Sequence, residues 1–295
     1  MAVLERIDAV MGATKPLFQH IVRGDDLWLW IDAGIAETPD QWILPALADR
    51  GLTPPARNLL VLTHVDVDHF GGLSRLSAAL PNLTVIGHAA DARLLHDHDE
   101  LMRIRYDAFG EGGLPLPHER VDQLRDRAGA PVPADISLTE EARVHVGDEE
   151  WHILHLPGHT AGHLAVWNPA SRVLIAGDAV MGRGVRDGDG RLQPPHVIDA
   201  PAYRATIERI RALAPAELRL SHEEVLTGPA VRTFLDDSLA ALEAIGRAVA
   251  AARAGGVRRL ADLCTAVASS TGGWPDAPPV AFAPTVEALV SEADG

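Results

Sequence analysis

The chain has 295 residues, 47% of them hydrophobic, which is enough for one substantial core or two small ones. It carries 41 acidic and 26 basic residues, a formal net charge of −15 at pH 7, and no run of lysines and arginines. Nucleic acids and anionic membrane surfaces both require a basic patch, so this charge argues against either one as a partner.

The single cysteine, Cys264, excludes an internal disulfide and a cysteine-based zinc site. It lies in an apolar stretch typical of a helix, where a buried structural thiol is expected. Residues 1–11 include Glu5 and Asp8 and lack the long apolar segment of a secretory signal. No window approaches the roughly 20 apolar residues of a membrane span, so we expect a cytoplasmic protein.

The first predicted elements are two strands around a turn. Residues 17–22 and 27–31 are apolar, and the Gly-Asp-Asp between them is a turn-forming sequence. The second strand ends at Asp32, and residues 39–50 then show the apolar spacing of a helix.

Potential metal ligands are concentrated directly after the apolar run at residues 59–62. They are His64, Asp66, Asp68 and His69, and Gly71 and Gly72 follow them. Burying unpaired charge is costly in an ordinary strand, whereas imidazole and carboxylate are the usual ligands of hydrolytic metals. The glycines are expected to let the backbone turn tightly and start a helix behind the ligands. The pattern favours a metal site over a solvated polar turn.

This stretch resembles the signature of the metallo-β-lactamase superfamily, whose usual form is His-x-His-x-Asp-His after a strand. His64, Asp68 and His69 occupy three of these positions, and Asp66 stands where the family has its second histidine. The triplet that begins at Asp32 resembles the family's Asp-Thr-Gly, near the floor of the site. Asp32 is therefore either a group that orients a ligand or a turn former.

A helix is predicted for residues 73–80, a strand for 83–86, and a further helix up to about residue 98. Residues 99–135 mix apolar and aromatic side chains with a break rich in Gly and Pro. In the family that this chain resembles, the corresponding insertion often covers the metal site and shapes substrate selection. We expect a lid here, with Tyr106 as a candidate substrate contact; the alternative is a helical excursion packed on the core.

The next predicted hairpin covers residues 143–156, with a Gly-Asp turn in its middle. The Pro-Gly-His-Thr that follows resembles a family element whose histidine is a metal ligand, which implies that role for His159. His163 matches a residue frequent in the family at this place, as a group behind the ligands rather than a ligand.

A further hairpin is predicted for residues 164–176. The Gly-Asp that follows it resembles the family's Gly-Asp, which implies a bridging carboxylate at Asp178. Residues 182–201 are rich in Gly, Asp and Pro and are predicted to be a loop that leaves the site. Met181 and Arg183 are therefore candidate substrate contacts, and an ordinary surface loop is the alternative.

A helix over residues 203–213 and a strand over 218–220 lead to a Ser-His that matches the family's final metal-binding histidine, here His222. From residue 229 onward, apolar residues recur at helical spacing. Residues 229–295 are therefore expected to be a C-terminal helical cap. The cap packs either on the core or on a second subunit, in which case these helices would form a homodimer.

The resemblance implies an α/β protein, with residues 1–228 forming the four-layer αββα sandwich of the superfamily. Each ligand group follows the carboxyl end of a predicted strand, where such sites form. The family implies two divalent metals, zinc being expected, and a hydroxide between them that attacks the substrate carbonyl. The implied ligands are His64, Asp66 and His159 for one metal and Asp68, His69 and His222 for the other, with Asp178 bridging and Asp68 also catalytic.

Asp66 is the departure from the family motif. A carboxylate in place of a neutral imidazole adds one negative charge, which weakens the metals as Lewis acids and favours iron or manganese over zinc. On this basis, Asp66→His is expected to raise the affinity for zinc. Alternatively, Asp66 is too short to reach, and a single metal is held by Asp68, His69, His222 and Asp178.

We expect a hydrolase that opens an ester, thioester or lactone bond of a small molecule, because the chain resembles the lactonase and glyoxalase II branch. The second hypothesis is an iron-dependent oxidoreductase, since flavodiiron members carry a carboxylate at the position of Asp66. The third, a non-catalytic metal-binding scaffold, is weakest because the other ligand positions are intact. The acidic charge disfavours the nucleases of the superfamily, and the lack of a signal sequence disfavours an exported β-lactamase.

Overall fold

The strand-forming runs of the sequence build two six-stranded β-sheets in a computed structural model that describes residues 2–80 and 82–295. The first sheet contains, in this order, β1 (Val3–Met11), β2 (Lys15–Arg23), β3 (Leu27–Ile31), β4 (Arg57–Val61), β5 (Leu83–His88) and β6 (Ile136–Leu138). Strands β3 to β6 are parallel to one another, so their carboxyl ends lie at one edge of the sheet.

The remaining strands are β7 (Ala142–Val146), β8 (Glu149–His155), β9 (Leu164–Asn168), β10 (Val173–Gly177), β11 (Val185–Arg186), β12 (Leu192–Gln193), β13 (Glu217–Leu220) and β14 (Leu226–Thr227). Strands β11 and β12 pair with each other, and the others form the second sheet in the order β14-β13-β10-β9-β8-β7. Because β10 and β13 are parallel, their carboxyl ends also lie at one edge.

The helices lie on the outer faces of both sheets. They are α1 (Leu44–Asp49), α2 (Val67–Phe70), α3 (Leu73–Ala79), α4 (Ala89–Ala92), α5 (His98–Leu101), α6 (His118–Ala128), α7 (Ala200–Leu213), α8 (Pro229–Ala254), α9 (Leu260–Thr271) and α10 (Ala283–Asp294). Short π-helical turns cover Pro39–Ile43 and Met102–Tyr106, and short 3₁₀ turns cover Arg93–Leu95 and Pro279–Phe282.

Three apolar clusters define the layers. One lies between the sheets and includes Leu29 of β3 and Ile153 of β8. A second cluster joins the other face of the first sheet, including Trp30, to helices α1, α2, α3, α5 and α6. A third joins the second sheet to α7 and the C-terminal helices. Strand β3 faces apolar layers on both sides, which explains its continuous apolar and aromatic run. The order helix, sheet, sheet, helix confirms the predicted αββα sandwich.

Several predicted elements differ in detail from the structure. Strand β1 was not predicted, and the predicted loop 182–201 contains the β11–β12 hairpin. Residues 229–295 are helical as predicted, and α10 joins the same apolar cluster as α8 and α9. The cap thus shares a core with the second sheet. The boundary at residue 228 and a homodimer through these helices stay predictions.

None of the helices within the described residues combines the length and apolar character needed to cross a bilayer. Cys264 is fully buried in α9, and burial raises the pKa of its thiol to about 12. This is the environment expected for a structural thiol.

Candidate metal centre

Four chain segments bring the predicted ligands to one place, and each follows a strand. His64 to His69 come after β4, His159 after β8, Asp178 after β10 and His222 after β13. The ligand atoms of His64, His159 and Asp178 lie within 4.8 Å of one another, as do those of Asp68, His69 and His222. His64, Asp66 and His159 are called the first group below, Asp68, His69 and His222 the second, and Asp178 lies close to both.

The first group forms a nearly equilateral triangle of acceptor atoms. His64 Nε2 lies 3.2 Å from His159 Nε2 and 3.4 Å from Asp66 Oδ2, and the third side, from His159 Nε2 to Asp66 Oδ2, is 3.1 Å. Ligands bound about 2.0–2.1 Å from a tetrahedral ion lie roughly 3.3 Å apart. The triangle therefore has the dimensions of one face of such a site, and Asp66 is long enough to reach it.

The second group has similar dimensions. His222 Nε2 lies 3.4 Å from Asp68 Oδ2 and 3.3 Å from Asp178 Oδ2, while His69 Nε2 lies 3.7 Å from Asp178 Oδ2. Asp178 thus faces both groups, as expected for a bridging carboxylate.

The hydrogen bonds of the four imidazoles fix which ring nitrogen faces the site. Nδ1 of His69 donates to Asp32 Oδ2 (2.8 Å), Nδ1 of His159 to the His196 carbonyl (2.7 Å), and Nδ1 of His222 to the Pro16 carbonyl (2.7 Å). Each of these Nε2 atoms is therefore an acceptor directed at the site, and that of His159 also lies 3.3 Å from Arg105 Nη2.

The ring of His64 is oriented in the same way, with its Nδ1 bound to the Thr63 hydroxyl. The Thr63 hydroxyl gives its proton to Asp32 Oδ2 (2.8 Å) and so accepts from His64 Nδ1 (3.0 Å). Within the described part of the chain, the buried Nε2 atoms of His69 and His222 have no hydrogen-bond partner. Converging, unpartnered acceptors are costly without a cation, so these residues fit a metal centre.

Asp32 acts on the site through Thr63 and His69. Its Oδ1 accepts from the Thr63 N–H (2.8 Å), and its Oδ2 accepts from the Thr63 hydroxyl and from His69 Nδ1 (both 2.8 Å). Its φ of 62° is uncommon for a residue other than glycine. Of the two alternatives for Asp32, the geometry therefore favours the orienting group.

His163 is directed at the backbone rather than at the site. Its Nε2 accepts a hydrogen bond from the N–H of Asp178 (3.2 Å), so that lone pair is already used. Burial, with the charges of neighbouring histidines, holds the pKa of His163 well below its usual range. The neutral ring therefore fixes the backbone of Asp178, in line with a position behind the ligands.

Arg105 is the main residue that the sequence did not reveal. Its Nε and Nη2 donate to the two carboxylate oxygens of Asp66 (2.6 and 2.7 Å), and its Nη1 donates to His196 Nε2 (2.7 Å). Burial alone would raise the pKa of Asp66, but Arg105 and the neighbouring imidazoles lower it well below its usual range. Asp66 therefore stays ionised with a basic partner.

Asp68 also has a basic partner that the sequence did not reveal. Lys15 Nζ, at the start of β2, lies 2.6 Å from Asp68 Oδ2. Neither Lys15 nor Arg105 belongs to a motif, and each reaches the site from a distant segment.

Burial lowers the pKa of the His64 imidazole to about 4, so this ring is neutral at pH 7.

A cavity of about 760 Å³ opens over both ligand groups. Residues of α6, of the β11–β12 hairpin and of the C-terminal cap line its walls, and Tyr106 and Met181 also line it. Arg183 differs from the expectation: its side chain is exposed and lies away from the cavity, and its carbonyl accepts from Trp274 Nε1 (2.6 Å). The segment 99–135 forms one wall; its movement as a lid stays a prediction.

The αββα fold and the two ligand groups define a protein with a candidate metal centre between its sheets' ligand-bearing edges. The metallo-β-lactamase superfamily matches residues 18–222, and the chain belongs to this superfamily. The resemblance and the fold class expected from the sequence are thereby confirmed.

Three proteins illustrate the relationship. A hydroxyacylglutathione hydrolase of Cereibacter sphaeroides is 30% identical over 232 residues, which cover 76% of this chain and 72% of that protein. An acyl-coenzyme A thioesterase of Homo sapiens is 28% identical over 167 residues, covering 54% and 57%. The structure of a metallo-β-lactamase family protein from Thermus thermophilus superposes with a TM-score of 0.75 at 20% identity, covering 99% and 94%. The shared fold thus extends through the C-terminal cap. The hydrolase and the thioesterase among these relatives confirm the enzyme class expected from the sequence.

Proposed function

We propose that this protein is a metal-dependent hydrolase of thioesters whose thiol part carries anionic groups. The observation that carries the proposal is the cavity of about 760 Å³ with both ligand groups at its floor. A cavity of this size accommodates a substrate considerably larger than an acyl group alone. Two of the relatives are named for thioesters of glutathione and coenzyme A, which are both anionic thiols.

Basic side chains on the cavity wall support an anionic thiol. Arg120 and Arg127 of α6 both line the cavity, although the chain as a whole carries a net charge of −15. Neither of them forms an ion pair with another of the described residues. Guanidinium groups bind carboxylates and phosphates through paired hydrogen bonds. This wall therefore suits the carboxylates or phosphates of a thiol carrier.

Bound divalent ions would polarise the thioester carbonyl and activate water at the cavity floor. The chain supplies the remaining functions. Asp32 and Thr63 fix the imidazoles of the site, and His163 fixes the backbone of Asp178. Lys15 lines the cavity beside Asp68, where its ammonium group can stabilise negative charge that develops on the substrate.

A substrate panel tests the proposal. We would compare an acyl-coenzyme A, an acylglutathione, an uncharged acyl thioester, the matching oxygen ester and a lactone. The anionic thioesters are expected to have the highest kcat/KM. A preference for the lactone or the uncharged thioester would contradict the proposal.

The double variant Arg120→Gln/Arg127→Gln tests the role of the wall. It is expected to raise KM for the anionic thioesters about 10-fold and to leave the uncharged thioester unchanged. Arg125→Gln is the matched control, because Arg125 lies on the same helix, pairs with Asp99 and does not line the cavity. An equal change for charged and uncharged thioesters would contradict recognition by these arginines.

The redox hypothesis depended on the extra charge of Asp66. Because Arg105 pairs with that carboxylate, the argument from weaker Lewis acidity loses its basis. A carboxylate ligand still suits iron or manganese, so the identity of the metal stays a prediction. Oxygen uptake by the metal-loaded protein would distinguish the two functions, and we expect none during thioester hydrolysis.

A further inference from the structure

The ion pair between Asp66 and Arg105 lies almost out of solvent. The two side chains are 15% and 7% exposed, and both carboxylate oxygens accept from the guanidinium in a bidentate arrangement. Such a pair is electrically neutral as a unit and has a fixed orientation. At the position where the family motif has an imidazole, this chain therefore has a neutral Asp–Arg unit.

All five N–H donors of Arg105 have acceptors nearby. Nε donates to Asp66 Oδ1, Nη1 to His196 Nε2 (2.7 Å) and the His159 carbonyl (3.4 Å), and Nη2 to Asp66 Oδ2. The second N–H of Nη2 faces His159 Nε2, and this N···N distance of 3.3 Å is long for a hydrogen bond. A group held by so many contacts has one position and is expensive to leave unpaired.

The same contacts set the direction of Asp66. With Arg105 behind it, Asp66 Oδ2 still lies 3.1 Å from His159 Nε2 and 3.4 Å from His64 Nε2. A carboxylate oxygen has a second lone pair, so Oδ2 can accept from Arg105 and also face the triangle. Tyr106 adds to this fixation, because its hydroxyl lies 3.4 Å from Asp66 Oδ1 and accepts from the Val67 N–H (2.8 Å).

We propose that Arg105 is a positioning residue that holds Asp66 as a ligand of the first group and cancels the charge it adds. The Asp66–Arg105 pair thereby takes the place of one neutral imidazole. This inference rests on the metal centre of the proposed function but is independent of the substrate.

The proposal reverses an expectation from the sequence. Asp66→His alone would give the family motif but would leave the Arg105 guanidinium buried beside two imidazoles, without the carboxylate that accepts its hydrogen bonds. The single variant should therefore lose metal from the first group. Removing the cation together with the carboxylate, in Asp66→His/Arg105→Met, should restore it.

Metal binding is measured directly, without substrate. Chelator-treated protein is equilibrated with Zn²⁺ or Co²⁺, and bound metal is counted by mass spectrometry and by the Co²⁺ absorption spectrum. Wild type is expected to bind two equivalents. Arg105→Met and Asp66→His should each weaken binding of one equivalent about 10–100-fold, and the double variant should recover it. Arg103→Met, an exposed neighbour on the same turn, is the matched control and should behave as wild type.

The number of metal ions bound by wild type and by the variants decides whether Arg105 holds Asp66 as a ligand. Wild type that binds one equivalent would overturn the proposal, because the guanidinium would then occupy the first site. An Asp66→His protein that binds both equivalents as tightly as wild type would overturn it as well. The double variant is the control for misfolding. If it recovers metal binding, the single variants lost metal because Asp66 or Arg105 had lost its ion-pair partner, and not because the protein failed to fold. A protein that binds two metals but cleaves no thioester would overturn only the proposed substrate.

Discussion

His20 shows how a single buried side chain can set the acid stability of the protein. The ring lies in β2 at 3% exposure, and within the described residues its Nε2 has no hydrogen-bond partner. Burial, aided by the charges of Arg219 and Arg6, lowers its pKa to about 3. The folded protein therefore holds His20 neutral at a pH where the unfolded chain would protonate it.

The sign of the pH effect follows from this difference. Below about pH 6.5 the unfolded chain takes up a proton that the folded protein does not, so stability falls with pH down to about pH 3. At pH 5 this amounts to about 2 kcal/mol. Urea unfolding of wild type and His20→Gln at pH 7.5 and pH 5 should show wild type losing about 2 kcal/mol more than the variant. Equal losses would show that His20 is protonated in the folded state.

At the residue scale, the sequence motifs identified the candidate metal ligands but not the side chains that pair with them. His64, Asp68 and His69 lie in one short stretch, and their spacing alone indicates metal binding. Arg105 meets Asp66 across 39 residues of chain and His196 across 91, through segments without a motif. Such contacts depend on how the wall segment packs, and an isolated arginine in the sequence carries no signal of it.

At the scale of elements, Gly71 and Gly72 join the ligand stretch to α3. Their φ angles, −54° and −77°, are ordinary helical values, so the predicted tight turn is not the reason for glycine. The reason is close approach. A Cβ on Gly71 would lie 2.0 Å from the Arg127 carbonyl oxygen, and one on Gly72 would lie 2.2 Å from that of Ala33.

Gly72→Ala tests this interpretation. The added methyl would collide with backbone atoms that cannot move without shifting β3. We therefore expect the free energy of unfolding to fall by about 1–3 kcal/mol. Gly273→Ala is the control, because its Cβ would meet nothing closer than 3.9 Å. Urea denaturation measures the free energy of unfolding of both variants and of wild type. A Gly72→Ala protein within about 0.5 kcal/mol of wild type would contradict the packing argument.

Elements with strong periodicity were predictable, and those with weak local signals were not. Strand β3 and helix α8 follow from continuous apolar or helical spacing. The part of the predicted cap beyond Gly272 is rich in prolines, and Pro284 lies in the first turn of α10, where a missing N–H is tolerated. Strand β1 alternates between exposed and buried residues at the edge of the sheet, so its apolar signal is diluted.

At the scale of the molecule, the cap and the superfamily fold together build the cavity over the two ligand groups. Thr285 of α10 donates to the Pro195 carbonyl (2.6 Å) and accepts from the Val197 N–H (3.0 Å), which ties α10 to the segment carrying His196. Pro278 and Pro284 line the cavity. The sequence indicated a helical cap but not this contribution, because helical periodicity specifies a buried face and not its partner.

The proposed function requires that the two ligand groups hold the metals used in hydrolysis. The most direct measurement is the rate of acyl-coenzyme A hydrolysis by chelator-treated protein as Zn²⁺ is added in fractions of an equivalent. Asp178→Ala carried through the same titration is the comparison, because Asp178 faces both groups. We predict no activity without metal, a rise that ends at two equivalents, and a loss on the order of 100-fold in the variant. Full activity of the metal-free protein, or a metal-replete and active Asp178→Ala variant, would contradict the account.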